Sequence, residues 1–320
     1  MVLTGIIIGV GCTIQLHKKT LCCRDISAEI WGQAMTNHSL QDQVAIVTGA
    51  GKGLGRAYAL HLAAMGARVV VNNRTSTERS ADAVVEEIRA LGGNAVANYD
   101  SVEQADSGQC LVADALEHYG RLDIVIANAG IDSAASFHKQ AMDDFERVMQ
   151  INFFAVARLL HAAWPVLRDA NYGRVLVSTS TAGCYGNHGQ AAYSSSKAAL
   201  LGLGKSLAIE GAPRGVLVNA IAPYAVTQMT RPWFPETHQR QFSAESVAAL
   251  VGWLVSGSCQ LTGKTFIAGA GNARQVDTFE SETISLDGEL HHAVNELMAK
   301  PCLQRPASAS EEFEHFMHSL

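Results

Sequence analysis

This 320-residue chain lacks the cysteine spacings that would bind zinc or mark a redox motif. Its seven cysteines (Cys12, Cys22, Cys23, Cys110, Cys184, Cys259 and Cys302) are odd in number and scattered, with no CxxC pair. Cys22 and Cys23 near His17 resemble a metal fragment, but reduced thiols of a cytoplasmic protein account for all seven. Charge is scarce as well, at 17% of residues, and the net charge is −6 without Lys/Arg runs. That pattern excludes nucleic acid or an anionic membrane as the main partner. No apolar run is long enough to span a bilayer. "MVLTGIIIGVGCTIQL" has 16 residues, and its "HKK" follows the run instead of preceding it as in a signal peptide. The final "HSL" is not an SKL-type peroxisomal address. Residues 1–38 are expected to form a poorly ordered leader outside the fold.

What is present is alternation. Short β-branched runs at 44–48, 68–72, 94–99, 122–127, 174–179, 216–221 and 264–268 are separated by helix-length segments. Strands apolar throughout suit a parallel sheet covered on both faces. The expectation is one doubly wound, Rossmann-type α/β domain over 39–320, with a seven-stranded parallel sheet and a C-terminal extension from about 272.

The first run ends in "VTGAGKGLGRAYAL". Gly49, Gly51, Gly53 and Gly55 fall between a strand and a helix, where bare backbone lets phosphates approach the amides. The positive end of the helix that starts near Leu54 then faces them. "AAYSSSKAAL" places Tyr193 and Lys197 four positions apart, within roughly 6 Å on one helical face. A lysine ~5 Å away at an effective dielectric near 20 would lower a phenol's pKa from about 10 by roughly two units. Tyr193 would then exchange a proton near neutral pH.

The spacing Thr48-Gly49-x-x-x-Gly53-x-Gly55 resembles the TGxxxGxG motif of the short-chain dehydrogenase/reductase family. "NAG" at Asn128-Ala129-Gly130, then Asn152, Ser180, Tyr193 and Lys197 follow in family order. "VANYDSV", "YGNHGQAAYSSSK" and "SLAIEG" are most similar to the (3R)-hydroxyacyl-CoA dehydrogenase unit of peroxisomal multifunctional enzymes. The resemblance implies a catalytic set of four. Tyr193 is the acid–base, Ser180 donates to the substrate oxygen, Lys197 also binds the nicotinamide ribose, and Asn152 holds a water that links Lys197 to solvent. It further implies cofactor contacts from the cradle, from Asp100 and Ser101 near the adenine, from Asn128, Ala129 and Gly130, and from Pro223, Val226 and Thr227. The family's usual Pro-Gly after the sixth strand is here Pro223-Tyr224, which leaves the shape of that loop open.

In "VVVNNRT" the carboxylate expected for NAD recognition is replaced by Asn73, with Arg74 next to it and Lys52 in the cradle. Two cations and no anion favour NADP(H), with NAD(H) as the other cofactor. The expected activity interconverts a secondary alcohol and a ketone. The substrate alternatives are a 3-hydroxyacyl/3-oxoacyl thioester and a steroid or other ring alcohol. A non-catalytic dinucleotide-binding redox sensor is the remaining reading. Substrate choice is expected in 224–245, with Trp233 and Phe234. Small and apolar residues on the helices of 141–169 and 192–210 point to a homo-oligomer, and the family pairs subunits through such helices.

Overall fold

The computed structural model describes residues 39–74, 79–228, 230–231, 234–286 and 288–318, so the leader and Trp233 lie outside the described residues. The expected runs form β1 (Val44–Val47), β2 (Arg68–Asn72), β3 (Asn94–Asn98), β4 (Ile124–Ala127), β5 (Gly173–Ser178), β6 (Val216–Pro223) and β7 (Thr265–Gly269). All pair in parallel, in the order β3-β2-β1-β4-β5-β6-β7. β1, β4 and β5 are buried at every position, which is why their sequences show no polar alternation.

The sheet has an eighth strand, which corrects the expected seven. β8 (Asn272–Val276) returns antiparallel to β7, with Gly269 opposite Asn272. Ala270 (φ 50°) and Gly271 (φ 73°) make the reversal, the left-handed pair that a two-residue hairpin needs. β8 is exposed along most of its length, so no apolar pattern marks it in the sequence.

The connecting helices are α1 (Gly53–Ala64), α2 (Ser80–Ala90), α3 (Ser107–Tyr119), α4 (Met142–Met149), α5 (Ala155–Asp169), the short α6 (Thr181–Tyr185), α7 (Ala191–Gly211) and α8 (Glu245–Leu254). α1 packs on α2 and α8, while α3 packs on α5, and α7 packs on α4 and β6. A core of Val44, Ile46, Val125, Val175 and Val177 from the strands meets Leu111, Leu159, Leu160 and Leu200 from the helices. The long helical segment expected over 141–169 is interrupted by a π turn at Gln150–Phe154. Such turns insert a residue into the helical ladder and often accompany functional sites.

Beyond β8 the extension forms a two-stranded antiparallel sheet of β9 (Glu280–Ser281) and β10 (Cys302–Gln304), with helices α9 (Leu290–Ala299) and α10 (Ala309–His318). Arg305 pairs with Asp277 at 2.5 Å. Lys205 Nζ of α7 donates to Thr278 Oγ1 at 3.1 Å, which ties the base of the extension to the sheet's helical layer. Among the described residues no helix is long and apolar enough to cross a membrane.

Candidate active site

β1 and β4 are neighbours whose connections leave in opposite directions along the sheet. A crevice must open at their carboxyl ends, and ligands of doubly wound folds bind in such crevices. Here the cleft measures about 1170 Å³ and runs from the glycine cradle past Tyr193 to the loop after β6.

The cradle is built by exclusion of side chains. Gly49 (φ +63°) lies so close to Ala129 that a Cβ would stand 2.9 Å from its Cα, and Gly53 adopts φ +54°. A Cβ at Gly55 would collide with Gly49 O and stand 2.6 Å from Asn128 Nδ2. Gly55 therefore packs beneath the cradle and does not line the cleft, whereas Gly49, Lys52, Gly53 and Leu54 line it. Lys52 is the N-cap residue of α1. Thr48 Oγ1 accepts from Asn128 N at 3.0 Å and Ala129 N at 3.1 Å, locking the ends of β1 and β4 together.

At the far end of β2, Asn73 and Arg74 line the cleft, and Asn73 Nδ2 donates to Ser80 Oγ at 2.7 Å. The amide therefore stands beside the cradle at the first residue of α2. Buried Asn72 and Asn98 bond to each other at 2.7 Å, and Asn98 Nδ2 donates to Asp100 Oδ2 at 3.0 Å. Asp100 and Ser101 are thereby held at the cleft wall. A dinucleotide fits this set: positive-φ glycines, a helix start and a polar wall all converge on one groove.

Tyr193 and Lys197 share a face of α7, with Lys197 Nζ 5.7 Å from the centre of the Tyr193 ring. Ser180 caps α6, its Oγ accepting from Ala182 N at 3.2 Å, and its side chain hydrogen-bonds the Tyr193 phenol. Close packing sets this register. A Cβ on Gly183 would lie 2.7 Å from the Lys197 carbonyl carbon, so α6 rests directly on α7. Gly130, Asn128, Ala129, Pro223 and Thr227 complete this part of the wall. Val226 does not line the cleft, and its N–H goes to Phe242 O at 2.6 Å.

The electrostatics differ from the expected lowering of the phenol. Burial pushes the Tyr193 pKa up, the Ser180 hydrogen bond acts against that, and the charge of Asp132 adds to it. Lys197 is itself buried, which lowers its pKa from 10.5 to about 8. Its Nζ donates to Ser178 O at 2.7 Å. Desolvation of the phenolate outweighs the Ser180 hydrogen bond.

Asn152 sits in the π turn, fully buried and off the cleft surface. Its Oδ1 accepts from Ile131 N at 2.8 Å, and its Nδ2 donates to Ile131 O at 2.9 Å and Ser196 Oγ at 3.1 Å. The amide thus pins the chain just after Gly130. A Cβ on Gly130 would stand 3.2 Å from Asn152 Oδ1 and 3.3 Å from Lys197 Nζ, so the two side chains meet around that glycine.

On the far side of Tyr193 the wall contains Tyr224 and five residues that no sequence motif marked: Asp132, Thr181, Tyr185, Asn187 and Gln190. Gln190, three positions before Tyr193, carried a helical-spacing signal that could have been read. Tyr224 OH lies 3.2 Å from Thr181 Oγ1, so the residue replacing the usual glycine closes onto α6. Phe234 lines the cleft as expected, with its ring 5.0 Å from that of Phe242 and tilted to it by 44°.

Residues 43–238 match the family model described as short chain dehydrogenase. The mouse peroxisomal multifunctional enzyme type 2 is 44% identical over 236 residues, which cover 72% of this chain and 32% of that enzyme. The chain thus spans about a third of that relative. A 3-oxoacyl-[acyl-carrier-protein] reductase of Synechocystis is 38% identical over 71% of this chain and 96% of its own length. A crystal structure of a short chain dehydrogenase from Mycobacterium avium superposes with TM-score 0.74 at 32% identity, covering 84% of this chain and 99% of that one. The chain belongs to the short-chain dehydrogenase family, oxidoreductases that act on CH–OH groups with NAD(P).

Proposed function

We propose that this chain reduces 3-oxoacyl thioesters to 3-hydroxyacyl thioesters, or runs the reverse oxidation, with a preference for NADP(H). The observation that carries the reading is the convergence of Ser180, Tyr193 and Lys197 on one wall of a cleft whose other end is a glycine cradle. The name of the Synechocystis relative, a 3-oxoacyl-[acyl-carrier-protein] reductase, supports the acyl class.

Gly49, Gly53 and Leu54 would hold the pyrophosphate of a bound dinucleotide, and Asp100 and Ser101 would border its adenine. Asn128, Ala129, Gly130, Pro223 and Thr227 flank the nicotinamide end. Asn73, Arg74 and Lys52 offer an amide and two cations where a 2′-phosphate would sit, with no carboxylate to repel it. The bound nicotinamide supplies or accepts the hydride. Tyr193 gives its phenolic proton to the substrate oxygen during reduction and takes it back during oxidation. Ser180 Oγ donates a hydrogen bond to the same oxygen as negative charge builds there. Lys197, with a pKa near 8, is mostly protonated at pH 7 and offsets the phenolate charge left behind. Asn152 acts through the backbone, holding Ile131 and therefore Gly130 in place.

The adjoining rings of Phe234 and Phe242 favour an apolar acyl chain and equally suit a ring alcohol as the second reading. Following NADPH and NADH oxidation with acetoacetyl thioesters, ketosteroids and cyclic ketones tests both. Turnover of thioesters at least tenfold above the ring ketones is expected. Turnover of ring ketones alone would replace the first reading, and no turnover of any carbonyl would favour a dinucleotide-binding sensor.

A further inference from the structure

The wall beyond Tyr193 carries a carboxylate that the expected chemistry does not use. Asp132 stands two residues after Gly130 and lines the cleft. Its Oδ2 accepts a short hydrogen bond from Gln190 Nε2. Asn187 Nδ2 donates to Gln190 Oε1 at 2.7 Å, which fixes that amide with its nitrogen towards Asp132. The other oxygen, Asp132 Oδ1, is buried and finds no donor among the protein's side chains and backbone. A charge sheltered from water in this way is weakly screened, so its field reaches further into the cleft.

Among the described residues no compensating cation lines this flank. The cleft-lining cations among the described residues are Lys52 and Arg74 at the cradle end and Lys197 behind Tyr193. Asp132 is also close enough to Tyr193 for its charge to disfavour the phenolate. The same field acts on any anionic group that a substrate carries next to its reacting carbon.

We propose that Asp132, clamped by Gln190 and Asn187, is a specificity-determining residue that rejects oxo and hydroxy acids with a free carboxylate and admits their neutral esters and thioesters. The inference rests on the acyl reading above and sharpens it. A thioester masks the carboxylate of a 3-oxo acid, so the same carbon skeleton passes the Asp132 flank only in its esterified form. Like charges brought together in a poorly hydrated site are mutually destabilising, which converts one carboxylate into discrimination between two otherwise similar substrates.

The test pairs a neutral and an anionic substrate of the same skeleton, methyl acetoacetate and acetoacetate, with NADPH and the full chain. Wild type should favour the ester. Asp132→Asn keeps an acceptor for Gln190 and removes the charge. It should raise kcat/KM for acetoacetate by about tenfold, mainly through KM, and several-fold more than for the ester, whose smaller change follows the shift in the Tyr193 phenol. Asp132→Ser serves as a second neutral variant.

A substrate-independent measurement accompanies it: phenolate absorbance of the ligand-free protein, with the Tyr193→Phe spectrum subtracted. The groups bearing on that titration are Lys197 on α7, Ser180 on α6 and Asp132 after β4. Its midpoint should fall by about half a unit or more in Asp132→Asn. An unchanged midpoint, or equal gains for both substrates, overturns the proposal. If wild type reduces neither compound, the acyl reading fails by itself, and the spectral midpoint still decides whether Asp132 charges this flank.

Discussion

Lys197 Nζ donates to Ser178 O at 2.7 Å while standing 5.7 Å from the centre of the Tyr193 ring. One buried ammonium therefore joins the end of β5 to the helix that carries the phenol. Its position is fixed by the strand carbonyl, and it stands over the Tyr193 ring.

Tyr193→Phe should lower kcat by about 10²–10⁴-fold, the range typical of a lost acid–base group. The ring stays and the cradle is untouched, so dinucleotide affinity should change by less than about threefold. Fluorescence titration with NADPH beside steady-state kinetics checks both halves, and retention of a tenth of wild-type kcat would sink the assignment.

Burying Lys197 has a stability signature. Its folded pKa, about 8, lies below the ordinary 10.5. The unfolded chain therefore binds more protons between those values, and this group's contribution to stability rises as pH goes from about 8 to 10.5. At one unit per ~1.4 kcal/mol, the full span is about 3 kcal/mol. Denaturant melts of wild type and Lys197→Met at pH 7.5 and 10 isolate it, because other titrations cancel in the difference. Wild type should gain on the variant by about 2 kcal/mol or more at the higher pH. A constant difference would place the ammonium in water.

Gly183→Ala should impair catalysis without touching any reacting atom. The added methyl would meet Lys197 backbone and Cβ at 2.7 and 2.8 Å, so α6 must move off α7 and carry Ser180 away from Tyr193. Misplacement by about 1 Å costs on the order of 100-fold in rate. Wild-type kcat with a wild-type melting temperature would show that the contact yields easily.

Cofactor choice is predicted to turn on the end of β2. Wild type should show higher kcat/KM with NADPH than with NADH. Asn73→Asp, which places an anion beside Ser80 at the cradle, should move the ratio towards NADH by about tenfold or more. An NADH preference in wild type would refute the reading.

The sequence by itself determined the seven parallel strands, because buried strands are apolar at every position. It also determined the cradle, because glycine adopts the positive φ of Gly49 and Gly53 without strain and only glycine fits the contact of Gly55 with Gly49 O. The pairing of Tyr193 with Lys197 follows from helical spacing alone. The tertiary structure decided what no local pattern carries. β8 is an exposed strand defined only by its partner and by the Ala270-Gly271 turn. The family resemblance assigns Asn152 a water, whereas its bonds to Ile131, 21 positions away, appear only when the π turn meets the chain after Gly130. The Tyr193 phenol was expected to be acidified by its neighbour. Spacing reports proximity, whereas the balance of desolvation against charge depends on what surrounds both groups, and that is set by Ser178, Ser180 and Asp132 arriving from three other segments.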